Sequence, residues 1–255
     1  MKIAVLVKQV PGSESSLPIR DDQKWIDESI ASYVMNPPDN FAIEEALLIK
    51  EKLGEGEVVI VSKGPNRIQK VIREGLAKGA DRAIHLEDEN LINDPLSIAK
   101  SFSKILKDEN FDLIFSGLQS DDTGMGQTGV LIGEMLGIST ATLAIETQLQ
   151  NGKIKVKREL ESGWFQWITL PLPASISIQS GLNIPRYPSL KGIMGAKKKE
   201  IKIIPESEHS SGQQYQSINK IFIPQTNKKT EVIDGDVDAS VSRIIEILKS
   251  EIKVI

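Results

Sequence analysis

The 255-residue chain has no cysteine, which excludes disulfides, thiolate metal sites and a cysteine nucleophile, and its two histidines, His85 and His209, are too few for a multi-histidine metal site. Lys+Arg 31 against Asp+Glu 35 leaves a net charge of −4, which argues against a broad nucleic-acid-binding surface. No apolar run approaches the roughly 18 residues of a membrane span, and residues 2–7 already read as a strand with no room for a leader, so a soluble, cytoplasmic protein without membrane insertion is expected.

Short apolar runs alternate with helical periodicity through the first half. Ile3-Ala4-Val5-Leu6-Val7, Val58-Val59-Ile60-Val61 and Leu113-Ile114-Phe115 are continuous aliphatic and β-branched stretches, suited to strands covered on both faces. Ala83-Ile84-His85-Leu86 is a weaker fourth strand. Between them, Phe41, Ile43, Ala46, Leu47 and Leu53 fit one helical face, and Ile68, Val71, Ile72 and Leu76 fit another. Asp94-Pro95 starts a third helix with a cap residue and a proline at the first helical position, and Leu131, Met135 and Leu136 belong to a fourth. This alternation predicts an α/β fold with a doubly wound, mostly parallel sheet.

Near residue 140 the pattern changes. An extended stretch over residues 140–149 leads to Asn151-Gly152, a type I′ hairpin signal, and then to Ile154, Val156 and Arg158 alternating with lysines. Residues 164–170 and 174–178 read as further strands, separated by Pro171 and Pro173. Residues 182–200, rich in Pro, Gly and Lys, form a loop too long for mere connection. A polar arm follows. It closes in a helix whose Val241, Ile244, Ile245, Leu248 and Ile252 share a face, either packed on its own domain or clasping a partner. The expected organisation is a nucleotide-binding α/β domain over residues 1–183, a separate loop over 184–199, and an arm plus helix over 200–255.

In doubly wound sheets, ligands sit beyond the carboxyl ends of the strands where strand order reverses. Three segments qualify. The first runs from Ser116 and Gly117 through Leu118, Gln119, Ser120, Asp121, Asp122, Thr123, Gly124, Met125, Gly126, Gln127 and Thr128 to Gly129, between a strand and a helix. Glycines permit close backbone approach, and a helix N-terminus offers free N–H groups to a phosphate. The segment is read either as a phosphate cradle or as a flexible turn. It matches neither a Walker loop nor a GxGxxG fingerprint, and no lysine lies within it, which points to a nucleotide that is held and not hydrolysed. The second segment is Met35-Asn36-Pro37-Pro38-Asp39, where helix capping by Asn36 with Asp39 as the capping-box acid is a sufficient reading. The third is Ser62-Lys63-Gly64-Pro65-Asn66. No Ser-His-acid order and no clustered carboxylates suggest an enzyme.

Taken together these stretches resemble the electron transfer flavoprotein beta subunits. The resemblance lies in the opening Ile3 to Val10 segment ending Val7-Lys8-Gln9-Val10, in Met35-Asn36-Pro37 followed by Ala42-Ile43-Glu44-Glu45-Ala46-Leu47, and in Gly79-Ala80-Asp81-Arg82. It continues in Asp122 through Gln127-Thr128-Gly129, in Val156-Lys157-Arg158-Glu159-Leu160-Glu161 through Gln166 to Pro173, and in Leu182-Asn183-Ile184-Pro185-Arg186-Tyr187-Pro188-Ser189-Leu190. Ser162, Ser175 and Gly195 depart from the usual family pattern. The resemblance implies a heterodimer in which an alpha subunit carries most of an FAD site and this chain shapes the rest. It also implies AMP in this chain, with its phosphate at the 117–128 loop and Leu6, Asn36, Pro37, Pro38, Asp39 and Lys63 around the remainder. The loop is also reminiscent of electron-bifurcating members, which hold a second FAD there and oxidise NADH.

In that family the chain is an electron carrier and not an enzyme, passing electrons from acyl-CoA dehydrogenases of fatty acid β-oxidation and related donors to a membrane quinone oxidoreductase. Residues 184–199 resemble the loop that docks such donors, with Leu190 as apolar anchor beside Tyr187, Ile193 and Lys197; the alternative for Leu190 is a buried plug. A stand-alone adenine-nucleotide-binding regulator of universal-stress type would share the sheet but has no need for residues 150–255.

Overall fold

The computed structural model describes residues 1–89, 94–210, 213–224, 230 and 232–254. Strand β1 (Lys2–Leu6) leads through the short strands β2 (Gln9–Pro11) and β3 (Tyr33–Met35) into helix α1 (Pro37–Leu53). There follow β4 (Glu57–Gly64), α2 (Gln69–Lys78), β5 (Arg82–Glu87), α3 (Pro95–Glu109), β6 (Leu113–Gly117) and α4 (Thr128–Leu136). The second half comprises β7 (Ser139–Gln150), β8 (Lys153–Glu159), β9 (Phe165–Pro171), β10 (Ala174–Ile178), α5 (Leu190–Ala196), β11 (Ile201–Ile204), α6 (Glu206–His209) and α7 (Val237–Glu246). Nine strands form one sheet in the order β11-β5-β4-β1-β6-β10-β7-β8-β9, parallel as far as β7 and antiparallel for β8 and β9. The fold is the expected mostly parallel α/β type.

Each central strand buries both faces, which is why its sequence is a continuous apolar run. Ile3, Val5 and Val7 of the first strand segment meet Ile43, Leu47, Ile72 and Leu76 of α1 and α2 in one core layer. Ala4 and Leu6, pointing the other way, share a second layer with Phe102 and Leu106 of α3 and Ile132 of α4. From β1 the chain winds outward through β4 and β5, then returns to place β6 on the opposite side of β1. Strand order therefore reverses between β1 and β6.

Four features differ from the sequence expectation. The Asn151-Gly152 turn has positive φ only at Gly152 (66°), so it is not type I′, which needs both residues there. The buried face of α1 contains Glu44 and Glu45 beside Ile43, Ala46 and Leu47, while Leu53 is exposed. Hydrophobic periodicity misses these acids because their partners, Arg186, Asn183 and Thr147, lie over 100 positions away. Residues 190–196, read as loop, form α5, capped by Ser189 Oγ accepting from Gly192 N at 3.0 Å. The segment from residue 200 onward, read as an arm, begins with β11, which extends the sheet beside β5.

Contacts divide the chain into a compact unit, Met1–Ile221, and a smaller one from Phe222 onward. In the latter, α7 is followed by a π-helical stretch, Ile247–Ile252, and neither buries a residue. No described helix is long and apolar enough to cross a membrane.

Candidate functional site

Beyond the carboxyl ends of β4, β1 and β6 lies a cavity of about 190 Å³. Its floor and walls gather most of the residues singled out in the sequence. Leu6, Asn36, Asp39 and Lys63 line it from the ends of β1 and β4 and the start of α1. Gly117, Gln119, Ser120, Asp122, Thr123, Met125, Gly126, Gln127 and Thr128 line it from the β6–α4 connection. Pro37, Pro38, Asp121 and Gly124 do not reach the cavity. Pro37 and Gly124 face solvent, Pro38 is buried beneath Gly117, and Asp121 contributes its backbone to the loop's bracing.

Pro37 and Pro38 occupy the first helical positions of α1, as their missing N–H groups suit, but Asn36 does not cap that helix with its side chain. Asn36 Nδ2 donates to Asp39 Oδ1 and to the Gln119 carbonyl, both at 3.0 Å, and Asn36 Oδ1 accepts from Asp121 N at 3.0 Å. The capping reading is thus replaced by a brace between the start of α1 and the cavity loop. Asp39 is wholly buried. It accepts from Lys8 N at 2.7 Å and Gly117 N at 3.2 Å, joining the ends of the two strands that flank the reversal. Burial pushes its pKa up to about 7, opposed by the Asn36 and backbone hydrogen bonds and by the charge of Lys8.

Two glycines make the loop possible. A Cβ on Gly117 would stand 2.4 Å from Asp39 Oδ1, so no side chain fits there. Gly126 takes a φ of 64°, the left-handed conformation that costs glycine nothing. The loop then delivers α4 with Gln127 at its N-cap, whose side chain makes no capping bond to the first turn. Gln127, Thr128 and Gly129 line the cavity, so unsatisfied N–H groups and the positive helix end meet it directly.

Sequence reasoning missed the cation. No lysine lies within the loop, yet Lys8, just past β1, reaches it: Lys8 Nζ stands 2.7 Å from Asp122 Oδ1 and 3.3 Å from Ser120 Oγ. Burial pushes the Asp122 carboxyl up, but Lys8 and hydrogen bonds from Ser120 and Thr123 outweigh it and hold the group below its ordinary value. The available signal was position, since Lys8 and Gln9 follow directly on a strand end at the reversal. Trp25, Glu28, Tyr33 and Arg67 also line the cavity and had no local signal. Lys63 lines it too, with its ammonium bound to the buried carboxylate of Asp88. The histidines lie elsewhere, buried, with Nε2 of His85 and His209 against the carbonyls of Gly64 and Glu87 at 2.8 and 3.0 Å.

The 184–199 segment is held firmly from both ends. Arg186 spans Glu44 at 2.8–3.1 Å and Glu51 at 2.5 and 3.1 Å, and its backbone N donates to Glu44 Oε2 at 3.0 Å. At the far end Arg73 Nη1 donates to the carbonyls of Ala196 and Lys199 at 2.6 and 2.8 Å. Between these pins Ile184, Tyr187, Leu190 and Met194 are 91, 95, 82 and 71% exposed, which rules out the buried plug for Leu190.

The model of the electron transfer flavoprotein domain matches residues 24–209, which include α1, the cavity loop and this segment. The chain is 34% identical to the electron transfer flavoprotein subunit beta of Methylophilus methylotrophus, covering 97% of this chain and 98% of the relative. The chain belongs to the electron transfer flavoprotein beta-subunit family. The subunits beta of Thermoanaerobacterium thermosaccharolyticum and Bacillus subtilis are 34 and 32% identical, over 98% of each chain and 100% of each chain respectively. Matches of that extent run through residues 150–255, which a stand-alone regulator of universal-stress type does not need.

Asp39 gives this site a pH signature. Its folded pKa lies above its unfolded value of 3.8, so between about 4 and 7 the folded state binds more protons than the unfolded one. Stability from this group is therefore present in full below that window and falls as pH rises through it. Chemical denaturation from pH 4 to 8 should show that decline. Asp39→Asn should remove it, and should lower stability by about 1–3 kcal/mol because an amide N–H₂ then faces the Lys8 N–H. An unchanged pH slope in the variant would contradict the assignment.

Proposed function

We propose that this chain holds AMP in the cavity between β1 and β6, and that as a beta subunit it pairs with an alpha subunit whose FAD site it completes. The observation that carries this reading is the uncapped N-terminus of α4 turned into a cavity whose loop is braced for the purpose. Unpaired N–H groups and the helix dipole suit a phosphate, and Lys8 stands beside them. Leu6, Ile98, Phe102 and Met125 supply apolar walls suited to a purine. The buried Asp39 sets the geometry without touching the α4 turn. Because the loop carries no Walker pattern and the nearby Lys8 is engaged by Asp122, the nucleotide is held as a structural element.

A flavin, when bound, accepts two electrons and passes them singly. The part of this chain is to hold, orient and shield the partner's cofactor, and to meet its donors. The exposed side chains of Tyr187, Leu190 and Ile193, with Lys197 nearby, form a fixed apolar platform suited to docking acyl-CoA dehydrogenases and related enzymes; a quinone oxidoreductase at the membrane takes the electrons onward. The exposed Val241, Ile244, Ile245 and Ile252 of the C-terminal unit suit contact with the alpha subunit.

Acid release and chromatography of the purified heterodimer should yield one FAD and one AMP. Two FAD with no AMP would instead support the electron-bifurcating reading. Gly126→Val, which forces a β-branched residue to positive φ, should strip AMP from the protein; unchanged AMP content would place the nucleotide elsewhere.

Leu190→Ala should raise the apparent KM for a dehydrogenase partner about 5- to 100-fold, given ~1–3 kcal/mol for a leucine filling a partner pocket. The flavin spectrum and AMP content should stay as they are. Unaltered partner kinetics would refute the docking role.

A further inference from the structure

The cavity runs over the strand ends from one helical layer to the other, and its two sides differ in kind. On the side of α3 the wall is apolar, with Leu6, Ile98 and Phe102. On the side of α2 Gln9, Trp25, Glu28, Tyr33 and Arg67 add polar and aromatic groups to Val7, Pro11 and Ile68. Gln9 and Tyr33 stand on β2 and β3, which pair antiparallel, and the connection between those strands folds back on itself through an Ile19–Ile26 bridge. Arg67 comes from the β4–α2 connection and gathers these pieces.

Its guanidinium donates from Nη1 to Gln9 Oε1 at 2.6 Å and from Nη2 to Glu28 Oε2 at 3.1 Å, and lies 3.9 Å from the centroid of the Tyr33 ring. Gln9 Nε2 returns a bond to the Arg67 carbonyl at 3.2 Å, and the other Glu28 oxygen accepts from Trp25 Nε1 at 2.8 Å. Only a planar guanidinium offers donors in two directions while stacking on an aromatic face; an ammonium does not. The cavity of about 190 Å³ is bounded on this side by that cluster, which a ligand extending toward α2 has to displace.

Resting on the AMP reading above, we propose that Arg67, by gathering Gln9, Glu28 and Tyr33, sets the size limit of this site, so that a mononucleotide enters and a dinucleotide such as FAD does not. Arg67, itself part of the wall, then ties Glu28 of the residues 12–32 connection across this side of the cavity.

The test is nucleotide selectivity of the heterodimer, stripped of its beta-site nucleotide and titrated with AMP and with FAD. Wild type should prefer AMP, and Arg67→Ala should narrow that preference by about tenfold or more, the scale of losing hydrogen bonds to a charged group. Flavin content should then exceed one per heterodimer. Glu28→Gln, which keeps Arg67 but weakens its anchor, should shift selectivity the same way by less, and it decides the matter if Arg67→Ala fails to assemble. Selectivity unchanged within about twofold overturns the latch and leaves the AMP reading standing. A wild-type protein that takes FAD in place of AMP overturns both, and is told apart by needing no variant.

Discussion

One buried carboxylate organises the site. Where strand order reverses, β1 and β6 separate toward different helices, and the backbone N–H groups at their ends lose the ladder partners that an uninterrupted sheet supplies. Buried donors of that kind must be satisfied or the site is destabilised by more than an ordinary hydrogen bond contributes. Asp39 meets the need for both, accepting from Lys8 N and Gly117 N. The rest follows in sequence. Gly117 must lack a side chain because Asp39 occupies the space a Cβ would take. Asn36, held by Asp39, in turn grips the loop at Gln119 and Asp121. The loop then presents the open end of α4 to the cavity.

Helix α1 carries the other half of the architecture. Its first turn braces the cavity through Asp39, and Glu44 and Glu51 farther along hold Arg186 at the root of the exposed 184–199 segment. Exposed apolar side chains on a mobile loop lose conformational entropy on binding. Here Arg186 and Arg73 pin the segment at its two ends, with Leu190 and Tyr187 exposed between them. A single helix thus braces both the cavity loop and the exposed 184–199 segment.

The central sheet was legible because β1, β4 and β6 are buried on both faces and read as unbroken apolar runs. The cavity loop was legible because Gly117 and Gly126 mark a close approach and a left-handed turn between a strand and a helix. What escaped the sequence depends on distant partners. Asn36 sits at a helix start and reads locally as a cap, but its amide is drawn to Gln119 and Asp121, more than 80 positions away. Lys8 reads as a strand-end lysine until folding sets Asp122 beside it. Arg67, Glu28 and Tyr33 carry no motif, since their association exists only after β2 and β3 pair. Strand β11 was hidden by its brevity and by the lysines before it.

The central claim is that the α4 N-terminus binds a phosphate in this cavity. Comparing AMP with adenosine on the nucleotide-stripped heterodimer tests it most directly, since the two differ only in that group. Charge-assisted hydrogen bonds from the helix end and Lys8 predict AMP binding tighter by about tenfold or more. Equal affinities for AMP and adenosine would contradict the account, because the open helix end would then make no contact that matters to the ligand.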